Sequence, residues 1–293
     1  MNLFEKYDRI AARNSISQFC PPRCFELAGQ QFDFVIDTGK ETGDIHLELV
    51  DRNHLTWSIH SGAQTGEADR YEVRKADDDT YLLTYCVKEP TRANHTFIID
   101  MEQKLVTFLR CSVGENAYYP YLIDSHWGFG YIKIEGEEHT DLKRHGFTDD
   151  VIGTGVRWVY GHNMSTTHVY HSSNWYRIQY AARQSGTAGI SSMMGSLPGS
   201  DEPADYVKIK EGMYIVSATE QNMEKILGAK MGFRSDTLLF LDNWNRMYSV
   251  GRGYGTMTRE GSPDGEIFCM IGKYASKPEI EEHMFTDPNP YQV

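Results

Sequence analysis

From residue 31 onward the chain reads as short strands separated by polar turns, and the same order of strands occurs twice. Successive side chains of a strand point to opposite faces, so alternating apolar and polar letters mark a half-buried strand. "QFDFVID" (31–37) alternates and ends on Thr38-Gly39. "DIHLELVD" (44–51), "HLTWSIHSG" (54–62), "RYEVRKADDDTYLLTYCVKEP" (70–90), "NHTFIIDMEQKLVTFLRC" (94–111) and "GYIKIEGEE" (130–138) continue the pattern. After the charged stretch "EGEEHTDLKRHGFTDD" (135–150) the order recurs. "GVRWVYGH" answers the first strand, and "THVYHSSNWYRIQY" answers the next two. "DYVKIKEGMYIVSATE" answers residues 70–89, and "DTLLFLDNWNRMYSVGRG" answers 94–111, which pairs Asp242 with Asp100. It is the succession of elements that repeats, with little identity between the halves.

Such a pattern predicts an all-β chain of two tandem antiparallel β-barrels, over residues 25–146 and 147–293, with a boundary near Gly146 to Ile152. Residues 1–24 are expected to be a short N-terminal helix and linker. "LFEKYDRIAAR" brings Leu3, Tyr7, Ile10 and Ala11 near one helical face, and "CPPRC" then breaks the helix. "RQSGTAGISSMMGSLPGSDEPAD" (183–205) reads as a mouth loop peculiar to the second half. The aromatic share of 12% favours strands. A net charge of -12 without any basic stripe argues against a nucleic-acid or membrane partner. The first residues have no apolar signal core, no run reaches the length of a membrane span, and the five scattered cysteines fit reduced thiols; the expected location is cytoplasmic. Cys20 and Cys24 lack the second pair or neighbouring histidine that a metal site needs, so no metal is expected.

Small barrels either fill their interior or hold one small ligand. Phe32, Phe34 and Ile36 share a face in the first half, which offers hydrocarbon alone. In the second half Val156, Trp158 and Tyr160 share a face, and Tyr176, Ile178 and Tyr180 add two phenols. Tyr214, Val216, Ala218 and Glu220 also share one. Glu220 is the lead candidate, because a carboxyl desolvated by aromatic neighbours becomes a general acid or base near neutral pH. The competing reading is a solvated strand end paired with Lys225 or Arg234. Trp158 could stack on an aromatic ring and Tyr160 could donate to a substrate oxygen, or both could be core. Tyr176, Tyr180 and Tyr214 are packing candidates that would also line such a pocket. His168 and His171 fall on opposite faces and cannot share a metal, while His60 and His126 read as turn or surface residues. Gly251, Gly253 and Gly255 lack the βαβ context of a nucleotide loop and are expected in a bend or turn. Cys269 reads as core.

"WSIHSG" followed by "EPT" resembles the lipocalin-like phenolic acid decarboxylases. The tandem arrangement, with "GVRWVYGHNMSTTHVYH", "YRIQY" and "DYVKIKEGMYIVSATE", resembles the MoaF-like family, which carries two lipocalin-like barrels in one chain. The decarboxylase resemblance implies two tyrosines on the first strand, an arginine and a glutamate around the substrate. The tyrosine pair falls on Phe34 and Ile36 in the first half and on Trp158 and Tyr160 in the second. The glutamate falls on Glu220 in the second half, and on Glu89 or Val87 in the first. Glu67 and Arg183 lie near the arginine position, and His168 with Tyr170 matches a His-x-Tyr pattern of the MoaF-like family. The resemblance implies a cofactor-independent lyase acting on a small phenolic or aromatic compound in the second barrel. Decarboxylation, formaldehyde loss and dehydration all fit its acid–base chemistry. Glu220 and Tyr160 would be catalytic, with Trp158, His168, Tyr176, Tyr180, Arg183 and Tyr214 binding substrate. The alternatives are a non-catalytic binding protein for apolar metabolites and a scaffold; a homodimer is expected by family analogy.

Overall fold

A computed structural model of the chain describes residues 22–60, 62–87, 92–114, 117–119, 121–137, 143–161, 164–182, 199–220, 233–257 and 275–276. Every regular element among them is a strand. The expected N-terminal helix lies outside the described residues, as do Cys20, Glu89, Arg183, Lys225 and Cys269. Two compact units form, one spanning Pro22–Gly146 and one running from Phe147 onward.

The first unit has nine antiparallel strands: β1 (Gln31–Asp37), β2 (Thr42–Glu48), β3 (Leu55–Ile59), β4 (Gln64–Ala68), β5 (Tyr71–Lys75), β6 (Thr80–Val87), β7 (Ala93–Asp100), β8 (Leu105–Val113) and β9 (Ile123–Ile132). Their spatial order, β4-β3-β2-β1-β9-β8-β7-β6-β5, makes β1–β9 the one pairing of strands distant in sequence. That pairing bends the sheet into a nearly closed barrel with its seam between β4 and β5. Gly130 permits the closure: a Cβ there would lie 1.9 Å from the Val35 carbonyl oxygen. As the alternation requires, Phe32, Phe34 and Ile36 point inward, where they pack with Leu47, Trp57, Tyr85, Phe97 and Phe108.

At the junction lies β10 (Gly146–Phe147). The second unit continues with β11 (Thr154–Gly161), β12 (Met164–Ser172), β13 (Trp175–Ala182), β14 (Ser200–Lys210), β15 (Met213–Ala218), β16 (Phe233–Asn243), β17 (Tyr248–Met257) and β18 (Ala275–Ser276). From β11 to β18 each strand pairs with its chain neighbours, and the described residues contain no closing pair like β1–β9. The sheet therefore curls into a half-barrel rather than a complete one.

Three expectations need correction. The last six residues of the proposed mouth loop, 200–205, are the start of β14. Gly251, Gly253 and Gly255 lie inside β17, opposite Phe240, Leu238 and Asp236, and not in a bend. At Gly251 a Cβ would approach the Leu239 carbonyl oxygen to 2.4 Å, so a close backbone contact calls for glycine there. The pairing of Asp100 with Asp242 is one residue out. Asp100 closes its hairpin opposite Leu105, and its Oδ1 accepts the Gln103 N–H at 3.0 Å. The residue that does this in the second unit is Asn243, opposite Tyr248, accepting the Arg246 N–H at 3.0 Å. Lys104 and Met247 complete the match, both with positive φ. A shift of one residue exchanges the faces of a strand. Asp242 consequently shares the inward face of Phe240 and Tyr214.

Candidate functional site

Cross-strand pairing sets the inner face of the half-barrel in rows. Trp158, Thr166 and Tyr180 form one, and Val156, His168, Ile178 and Ser200 the next. Tyr170, Tyr176 and Glu202 form a third, and Tyr214 with Asp242 a fourth. All of the named candidates within the described residues lie on this face and are buried: Trp158, Tyr160, His168, Tyr176, Tyr180, Tyr214 and Glu220. Arg183 lies outside the described residues.

Glu220 is 2% exposed, which removes the solvated strand end as its description. The Tyr180 hydroxyl donates to Glu220 Oε1, and the Glu220 N–H donates to Asp236 Oδ1 at 3.1 Å. Tyr160 and Thr166 share a hydrogen bond of 2.8 Å, and Thr166 lies 3.0 Å from His168 Nε2. Burial lifts the phenols of Tyr160, Tyr176 and Tyr180 well above the ordinary range, and the charge of Glu220 adds to the shift of each. These tyrosines are neutral hydrogen-bond donors near neutral pH, so a base on this face has to be a carboxylate or the imidazole. Tyr214 shares the face but not the place. It is six residues before Glu220, about 20 Å along an extended strand. Its ring packs at 5.1 Å against Trp244, with the Lys208 ammonium 6.0 Å above it.

Besides Asp236, which accepts the Glu220 N–H, two further inward carboxyls escaped the sequence reading. Asp242 is wholly buried, and burial raises its pKa to about 7 even though the Tyr170 hydroxyl donates to Oδ2 at 3.3 Å. Glu202 stands directly across from Tyr176, with Oε1 accepting from the Ser200 hydroxyl at 2.7 Å. The alternation Ser200, Glu202, Ala204, Tyr206 is a strand signal that was available, masked by the Gly- and Ser-rich letters before it.

The first unit also buries a histidine against its barrel core. His95 Nδ1 lies 3.0 Å from the Tyr85 hydroxyl, and its ring meets Trp57, Tyr85 and Phe108 edge-on. Burial, and then the charge of Arg110, lower its pKa to about 3, so it is a neutral imidazole. Of the first-unit positions carried by the decarboxylase resemblance, Phe34, Ile36 and Val87 are core and Glu67 is exposed on β4. His60 is a turn residue with positive φ, His126 is exposed on β9, and His171 is exposed with Nε2 3.4 Å from Asp201.

Among the described residues no three His, Cys, Asp or Glu side chains are grouped to hold a metal ion, and no helix is long and apolar enough to cross a membrane. The architecture is thus that of an all-β chain with a filled barrel and a half-barrel whose inner face carries phenols, an imidazole and carboxyls. Residues 4–114 match the family model described as the MoaF N-terminal domain. That match ends just after β8, so the second unit lies beyond it. No curated protein matches the chain.

Proposed function

We propose that the half-barrel is the site of a cofactor-independent lyase acting on a small phenolic or other aromatic compound. The observation that carries this reading is Glu220, a carboxyl 2% exposed among aromatic rings and held by the Tyr180 hydroxyl. A carboxyl so placed is desolvated and oriented, as general acid–base catalysis demands. Glu220 would move the proton that lets a carbon–carbon or carbon–oxygen bond break. Ionising a para-phenol pushes electrons into the ring toward a quinone methide as that bond is made or broken. Tyr160 would present its hydroxyl to a substrate oxygen and Trp158 its indole face to the ring. The resemblance of "YIVSATE" to the decarboxylase glutamate segment supports the same assignment.

One observation favours a second reading, a non-catalytic binding protein. The Tyr160 hydroxyl is already engaged by Thr166, which in turn meets His168 Nε2, so the hydroxyl assigned to the substrate has a partner within the protein. Incubating the full chain with hydroxycinnamic acids and lignin-type phenolics, with products followed by mass spectrometry, separates the two. A defined mass loss that disappears in Glu220→Gln establishes the lyase. Ligand retained without conversion across the panel leaves the binding protein.

A further inference from the structure

Six tyrosines on the inner face of the half-barrel are buried: Tyr160, Tyr170, Tyr176, Tyr180, Tyr206 and Tyr214. Four of their hydroxyls are committed within the protein. Tyr160 meets Thr166, Tyr170 donates to Asp242, Tyr180 to Glu220, and Tyr206 to the Trp175 carbonyl at 2.8 Å. Tyr176 differs, for its hydroxyl is buried and makes no hydrogen bond among the described residues. A buried hydroxyl left unmatched bears the full cost of leaving water, so it points to a partner that arrives with a ligand. Its surroundings are specific. Glu202 is its cross-strand neighbour, its ring lies edge-on to His168 at 5.1 Å, and after burial the carboxylate of Glu220 is the strongest influence on its phenol.

We propose that Tyr176 donates its hydrogen bond to an uncharged hydroxyl of the bound aromatic compound, so that the half-barrel takes phenolic alcohols in preference to phenolic carboxylates. This rests on the half-barrel being a site for small aromatic compounds, whether or not it turns them over. A ligand hydroxyl can accept from Tyr176 while donating to a neighbouring carboxylate. A ligand carboxylate can only accept, and it adds a further acid beside Glu202 and Glu220, where like charges raise the cost of ionisation.

Calorimetric titration of the full chain with coniferyl alcohol and with ferulate, which share one ring and side-chain skeleton, tests the idea. The alcohol is expected to bind at least about ten-fold more tightly. Tyr176→Phe should weaken the alcohol roughly ten-fold, the loss of one hydrogen bond. The same variant should melt no lower than the wild type, since it deletes a hydroxyl with no internal partner. Ferulate binding equally well or better overturns the proposal, as does failure of either compound to bind. A lower melting temperature in Tyr176→Phe also overturns it, because the hydroxyl then has a structural role. Lyase chemistry is judged separately, by mass. Preferential alcohol binding without a product sinks the lyase and keeps this inference, whereas tight binding and decarboxylation of ferulate does the reverse.

Discussion

The two units run through the same succession of strands and hairpins and enclose opposite chemistry. The first fills its barrel with Phe34, Trp57, Phe97, Phe108 and their neighbours, and admits one neutral imidazole, His95. The second lines its half-barrel with six buried tyrosines, His168 and the carboxyls of Glu202, Glu220, Asp236 and Asp242. Small changes of letter produce the contrast. Phe34 and Ile36 in β1 give way to Trp158 and Tyr160 in β11, and one residue of offset in the last hairpin brings Asp242 inside where Asp100 stays with its turn. A strand scaffold tolerates this because its backbone bonds do not depend on what the inner face carries.

The largest expected effect falls on chemistry. Glu220→Gln should lower turnover by about 10²–10⁴, the usual worth of a general acid or base, while circular dichroism stays unchanged. Near-normal turnover would remove the functional side of the contrast.

Next comes a contrast in pH dependence. Asp242 titrates near 7 when folded, above its ordinary 3.8. Between those values the folded state holds the proton more firmly than the unfolded one, so its contribution is full below about pH 4 and is lost by about pH 7. His95 titrates near 3 when folded, below its ordinary 6.5. Its contribution is full above about pH 6.5 and is lost as the pH falls toward 3. Each amounts to at most about 5 kcal/mol at roughly 1.4 kcal/mol per pH unit. Hydrogen exchange followed separately on β6–β8 and on β15–β17 should therefore show the first set loosening as the pH falls from about 6.5 toward 3, and the second loosening as it rises from about 4 to 7. Asp242→Asn should flatten the change in the second set between about pH 4 and 7 and leave that of the first set in place. If both sets weaken in the same direction with pH, these two groups do not govern the titration.

A third test concerns closure. Gly130→Val places a side chain where 1.9 Å separates a Cβ from the Val35 carbonyl oxygen, and should cost about 1–3 kcal/mol or more. Denaturant unfolding would measure it, and a neutral result would mean that β1 and β9 can part without harm. The smallest effect is expected for Tyr160→Phe, about 1 kcal/mol for the lost bond to Thr166. A loss of binding far beyond that in the same variant would place Tyr160 against the ligand as well.

Period-two alternation made much of this legible from the letters. It placed Phe32, Phe34 and Ile36 inside, and it brought Trp158, Tyr160, Tyr176, Tyr180, Tyr214 and Glu220 to one face. It failed where the alternation is absent or disguised. β7 is buried at every position, so nothing in "ANHTFIID" marked His95 as inward. In "FLDNWN" both Asp and Asn are turn formers, and only the hairpin register shows that Asn243 holds the turn and Asp242 the interior. The glycines of β17 resemble punctuation, although close backbone approach at Gly251 calls for glycine within a strand.

The β1–β9 pairing also sets a timetable for synthesis. Val35 finds Tyr131 as its partner, so β1 stays one-sided until β9 has left the ribosome. At about 5–20 residues per second that wait lasts on the order of 5–20 s. During it a strand bearing Phe32, Phe34 and Ile36 offers an open edge to any neighbouring nascent chain. The second unit, whose strands pair with the ones just made, can zip up as it emerges. Crowded polysomes, rather than heat, are where the first unit is most exposed to misassembly.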